Sequence, residues 1–92
     1  MAEVIWDRKA LADLNRTIAY IEQFDAKAAE KIGTRLFAMG ESLAQFPYRG
    51  RMIDDTKREI TNLPPYVMRY DVDDDLVTIL GIRHGARRPN TD

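Results

Sequence analysis

The chain contains no cysteine, so neither a disulfide framework nor a thiolate metal site can be built from it. It has a single histidine and a single tryptophan. Few side chains are therefore suited to exchanging protons near neutral pH. No apolar run approaches the roughly 20 residues that a bilayer-spanning helix needs. Met1 leads into a strand-like segment rather than a basic region followed by an apolar stretch. No secretory signal is expected, and a cytosolic setting is. Charge of one sign does not prevail either: 14 Lys and Arg face 15 Asp and Glu, a net −1. A nonspecific nucleic-acid binder is usually basic overall, so any recognition of an anion here must rest on a local patch. No repeat, linker or low-complexity segment interrupts the 92 residues. One domain over residues 1–92 is expected, with a single core and no deep cofactor cavity. Neither a cofactor nor a metal is expected.

What is present reads as a folded α+β chain, 45% hydrophobic and 32% charged. Residues 2–6 alternate and are rich in β-formers, which predicts a strand. Asp7 then offers an N-cap, and Leu11, Leu14, Ile18 and Ile21 recur at steps of three and four to about Phe24. Asp25 repeats the cap. Ala29, Ile32, Leu36, Met39, Leu43 and Phe46 carry a second helix to Pro47, which cannot extend it. The near absence of a linker predicts an αα-hairpin. Gly33 and Gly40 fall on roughly one face of the second helix, which suggests close approach of a neighbouring helix or a partner chain. Residues 47–51 read as a turn with Gly50 at positive φ. Strands are expected over residues 57–63, 66–72 and 76–82, broken by Pro64-Pro65 and by the Asp73–Asp75 hairpin. Tyr66, Met68, Tyr70 and Val72 share one face of the middle strand, a stripe read as core, with Val67, Arg69 and Asp71 on the other. In the last strand Val77 and Ile79 share one face and Leu76, Leu80 and Ile82 the other; being apolar on both, it belongs inside a sheet. The order is β-α-α-β-β-β, a helical hairpin packed on a mostly antiparallel sheet.

The charges are unevenly placed. Residues 81–92 hold three arginines against one aspartate, a local +2, which leaves −3 over residues 1–80. A buried strand thus delivers Arg83, the lone His84, Arg87 and Arg88 at a defined place, an arrangement suited to an anionic partner. Asp73 to Asp75 read as a solvated turn; they lack the loop needed to wrap an ion.

Several segments, taken in order, resemble the RelE/ParE toxin family, and its ParE-like branch in particular. They are Trp6 followed by ALADLNRTIAYIEQFD, the AA opening the second helix, FPYRGR, REI, PYVMRY and ILGIRHGARRP. The resemblance implies the toxin half of a type II toxin–antitoxin pair, held inactive by a cognate antitoxin whose C-terminal segment lies across it. RelE-like members of the family cleave messenger RNA at the ribosome. ParE-like members bind DNA gyrase and run no reaction of their own.

RNA cleavage needs a base, an acid and cations for the phosphorane charge. Cations exist at Lys57, Arg58, Arg69, Arg83, Arg87 and Arg88. Acid–base candidates are few: His84, and Glu59 only if burial raises its pKa. No tyrosine follows Tyr70, so the terminal Tyr of many RelE-like nucleases is missing. The expectation is a non-catalytic gyrase inhibitor with no catalytic residues, the alternative being a ribosome-dependent endoribonuclease acting on mRNA through His84. A third reading is a member that keeps antitoxin binding and has lost toxicity. Expected target contacts are Arg69, Arg83, His84, Arg87 and Arg88. The antitoxin is expected to dock on parts of the helix stripes left uncovered, at Leu14, Ile18, Ile21, Leu36 and Leu43.

Overall fold

Two capped helices pack on one face of a five-stranded sheet in the computed structural model, which describes residues 1–85. Strand β1 (Glu3–Trp6) leads into helix α1 (Arg8–Glu22), and helix α2 (Ala26–Glu41) follows a short turn. Asp7 caps α1 by accepting from the Arg8 amide, and Asp25 caps α2 by accepting from the Ala28 amide at 3.0 Å. The chain then forms β2 (Arg51–Met52), β3 (Lys57–Leu63), β4 (Tyr66–Asp73) and β5 (Leu76–His84). The sheet runs β1-β5-β4-β3-β2, with β1 parallel to β5 and every other pair antiparallel. The predicted order therefore holds, with β2 as an added edge strand too short to carry a periodic signal.

The core lies between sheet and helices. Tyr70, Met68, Val77, Ile79 and Ile82 from the sheet meet Ala10, Leu14, Leu36, Met39 and Leu43, all buried. Of the expected stripe Met68, Tyr70 and Val72 are core, while Tyr66 is half-buried at its edge. Trp6 sits at the margin rather than in the centre. Its ring stacks on Phe37 at 5.4 Å, and its indole N–H donates to Glu41 at 3.0 Å.

Four expectations are corrected. Helix α2 does not reach Pro47: it ends at Glu41 and tightens into a 3-10 turn over Ser42–Ala44. There the Ser42 hydroxyl donates to the Met39 carbonyl at 2.6 Å. Gly50 is not at positive φ; among the described residues Asp74, in the β4–β5 turn, takes that conformation at 54°. Gly50 is small because the Tyr70 hydroxyl and the Glu59 carbonyl stand 2.7 and 2.8 Å from where a Cβ would sit. Of the glycines of α2, Gly33 marks the expected close approach of the neighbouring helix, through Ile18 of α1, whereas Gly40 instead receives the Trp6 ring and Ile79 from the sheet. Finally, β5 does not alternate throughout.

That last irregularity matters most. The β4–β5 register steps from Tyr70 opposite Ile79 to Arg69 opposite Gly81, so a bulge at Leu80 inserts one extra residue. Beyond it the parity reverses. Ile82 joins Val77 and Ile79 in the core instead of facing away with Leu80.

Candidate target-binding site

The bulge sorts the C-terminal end of β5 onto two faces. Arg83 stands opposite Val67 and shares the helix-free face with Arg69 and Glu59; His84 stands opposite Tyr66 and shares the helix side with Met68. The expected target-binding set is therefore divided.

On the helix-free face, Glu59 lies between Arg51 on β2 and Arg69 on β4, its partners in register. Arg51 donates to one carboxylate oxygen at 3.2 Å. Arg69 donates to the other from two nitrogens, at 2.9 and 3.3 Å, and Arg83 reaches the same oxygen at 3.4 Å. The Glu59 side chain is 6% exposed, roofed by arginine side chains that are 31–74% exposed. Burial is the largest single influence on Glu59 and acts to raise its pKa. The hydrogen bond and charge of Arg69, and then those of Arg83, outweigh it and hold the group below the ordinary glutamate value. Glu59 is thus a firmly ionised counter-charge rather than a general base. Arg69 pairs with it across the strands and not with Asp71 on its own strand.

On the helix side, the His84 ring meets Tyr66 edge to face at 5.7 Å. Both line a groove of about 640 Å³ between α1 and the end of β5, which Arg83 also borders, with Lys9, Asp13, Arg16 and Tyr20 along the helix. Asp13 organises this groove. One of its oxygens accepts from Lys9 at 2.9 Å and from the Ile82 amide at 3.0 Å, and the other accepts from Arg16 at 3.0 Å. Strand β1 pairs with β5 only as far as Ile79. Past that point the strand edge has no neighbouring strand, and Asp13 supplies the acceptor that a strand would have given. A Cβ at Gly81 would come within 3.0 Å of both Asp13 and Lys9, so the glycine admits this approach. Burial pushes the Asp13 pKa up most strongly. Hydrogen bonds from Lys9 and the Ile82 amide, the Lys9 charge and the Arg16 hydrogen bond together prevail and lower it.

Of the remaining acid–base groups, Tyr70 is buried, and this raises its pKa although its oxygen accepts from the Gly50 amide at 2.9 Å. Arg58 is committed to the β2 edge. It donates to the Tyr48 and Gly50 carbonyls and lies 5.0 Å over the Tyr48 ring. Lys57 sits near Asp54 at 4.0 Å. Among the described residues no group of three or more histidine or acidic side chains gathers as a metal site requires. No helix among them is long and apolar enough to cross a membrane. Arg87 and Arg88 lie outside the described residues.

The expected antitoxin contacts need correction. Leu14, Leu36 and Leu43 are buried against the sheet and present nothing to a partner. Ile18 and Ile21 are half-buried in the hairpin, Ile18 filling the space over Gly33. The apolar surface left exposed along the hairpin is Leu11, which belongs to the predicted stripe but is not covered, with Tyr20, Phe37 and, in the turn after α1, Phe24. Sequence reasoning also missed Asp13, which looked like an ordinary polar residue outside the stripe, and gave Glu59 only a conditional role.

Residues 4–89 match the family described as the ParE toxin of the type II toxin–antitoxin system parDE. The chain is 49% identical over 87 residues to Toxin RelE2 of Caulobacter vibrioides, covering 95% of this chain and 99% of that one. It is 36% identical over 83 residues to Toxin RelE1 of the same organism, covering 87% and 89%. Its fold is similar to that in a solved structure of the chromosomal ParDE system from P. aeruginosa, with a TM-score of 0.78 at 22% identity, covering 91% of this chain and 96% of that one.

Proposed function

The chain belongs to the ParE toxin family of type II toxin–antitoxin systems, and from that premise we propose that it acts on DNA gyrase by binding, without a reaction of its own. Membership carries with it an antitoxin as partner. The observation that supports a gripping rather than a cutting toxin is the division of the C-terminal end of β5. Its imidazole and its nearest arginine point to opposite faces of the sheet. A phosphodiester held over Glu59 by Arg69 and Arg83 would lie on the face opposite the one His84 takes in register, a poor placement for the proton transfer that cleavage requires. The carboxylate beside those arginines is ionised and already bonded to them.

In this reading Arg69 and Arg83 form a fixed charged surface, and Arg87 and Arg88 extend the contact toward the target or an acidic antitoxin segment, where guanidinium–carboxylate pairing is favoured. A second reading, ribosome-dependent cleavage of messenger RNA, draws its support from the RelE names of the two Caulobacter relatives. Supercoiling by purified gyrase, run beside a translation-coupled RNA cleavage assay, separates the two. Inhibited supercoiling with intact transcripts is expected. Cut transcripts with normal supercoiling, especially if His84→Ala abolishes the cutting, would overturn the proposal in favour of the second reading.

A further inference from the structure

The arrangement around Glu59 is that of an oxyanion site whose anion belongs to the protein. Guanidinium groups from three strands converge on one carboxylate, with two of them sharing a single oxygen at 2.9 and 3.4 Å. Convergent N–H donors of this kind suit a carboxylate or a phosphate equally well. The carboxylate forms the floor and the arginines lie over it. An external phosphate therefore meets donors that are already engaged, with a negative charge beneath them. To take those donors it would have to leave Glu59 buried without partners, which is strongly unfavourable.

We propose that Glu59 is a specificity-determining residue, an internal counter-anion that occupies the Arg51–Arg69–Arg83 cluster and keeps single-stranded RNA off the helix-free face of the sheet. This deepens the non-cleaving reading above and rests on it for its biological meaning, though not for its measurement. The same three arginines without Glu59 would form a phosphate-binding patch on an open sheet. With it, the donors are engaged, the charge of the cluster is reduced by one, and the face offers fixed guanidinium edges to a protein partner.

The test measures binding of a fluorescein-labelled oligouridylate by anisotropy at low salt. Glu59→Gln is expected to bind about tenfold more tightly than wild type. Its log K should fall more steeply with log salt by about 0.7 for each phosphate newly neutralised. Glu59→Asp, which keeps the charge, is expected to return binding to the wild-type level. The double variant Glu59→Gln/Arg51→Gln has the net charge of wild type yet leaves Arg69 and Arg83 without Glu59, and is expected to keep the gain. A folded Glu59→Gln protein that binds no better than wild type overturns the proposal. So does a gain that disappears in the double variant, which would reduce the effect to net charge. A third arm needs no variant: in the wild-type chain, inorganic phosphate should leave the Arg69 Nε–H resonance unmoved, and a saturable shift would overturn the proposal even if the substitutions prevent folding. Gyrase inhibition by wild type is measured alongside. Its failure would remove the proposed function while leaving the Glu59 result standing, and the converse also holds.

Discussion

Alanine at position 13 isolates the contribution of one carboxylate to the end of β5. In the native chain Asp13 accepts from the Ile82 amide at 3.0 Å, inside the groove between α1 and the sheet. Removing it leaves a buried N–H without its acceptor, at a cost of about 1–3 kcal/mol. The contacts with Lys9 and Arg16 add less. Those side chains are 71% and 72% exposed, and such pairs contribute about 0–1 kcal/mol. Asp13→Ala should therefore destabilise the fold by about 2–3 kcal/mol, or about 10–20 °C in Tm for a domain of this size. Asp13→Asn keeps an oxygen acceptor for Ile82 and loses only the ion pairs, so its cost should be about 1 kcal/mol or less. Urea unfolding gives the two energies. Amide hydrogen exchange gives the location: the Ile82 amide should exchange rapidly in the alanine variant while Met68, in the same sheet, stays protected. Equal midpoints for the two variants would refute the reasoning, because they would make charge, and not the amide's acceptor, the source of the stability.

Other substitutions follow from the same geometry. Gly33→Ala and Gly40→Ala make the same change in one helix, and each gains about 1 kcal/mol of helix propensity. At Gly33 the added methyl meets only the end of Ile18, which can turn aside, so urea unfolding should show a change within about 1 kcal/mol. At Gly40 it meets the Trp6 ring and Ile79, which are rigid and packed, so a loss of about 1–3 kcal/mol is expected with reduced Trp6 near-ultraviolet circular dichroism. Acid should unfold the chain in a defined sense. The folded-state pKa values of Asp13 and Glu59 both lie below their ordinary values. Their stabilisation is thus complete above the usual carboxylate range of about 4 and is lost as pH falls through the lower folded values. Asp13→Asn and Glu59→Gln should each flatten the fall in urea midpoint over that window, and an unchanged slope in both would contradict the assignment. Truncation after Gly85 should abolish gyrase inhibition and leave antitoxin binding, measured by co-purification, largely in place; loss of both would mean that residues 86–92 support the fold.

The architecture was legible in the sequence because its signals are periodic and local. Two aspartate caps, the three-and-four spacing from Leu11 to Ile21 and from Ala29 to Leu43, and the alternation from Tyr66 to Val72 each reflect the repeat of the element they form. What escaped lacks such a signature. A two-residue edge strand has no period to detect. Gly50 looked like a turn residue because turns are where glycine is common, whereas its actual constraint is the Tyr70 hydroxyl, twenty residues away in sequence. Leu14, Leu36 and Leu43 could be assigned to the apolar stripes but not to the covered or uncovered part of them, since coverage is a property of the packed sheet. Asp13 and Glu59 draw their roles from partners on other elements: Ile82 for one, and Arg51, Arg69 and Arg83 for the other.

The bulge at Leu80 carries the greatest functional weight among these unreadable features. Were β5 to alternate regularly from Val77, its odd-numbered residues would all face the helices, Arg83 among them, and His84 would lie on the open face beside Arg69. An imidazole would then stand next to a cluster of guanidinium groups, the pairing of proton carrier and charge stabiliser that cleavage of a phosphodiester requires. The extra residue exchanges the two side chains. Arg83 goes to Glu59, and His84 goes to Tyr66 and the groove along α1. The same exchange frees the Ile82 amide from any strand partner and makes the Asp13 acceptor necessary. One insertion in the backbone thus places His84 on the face of the sheet opposite Arg69 and Glu59, and Asp13 of the first helix holds that register in place.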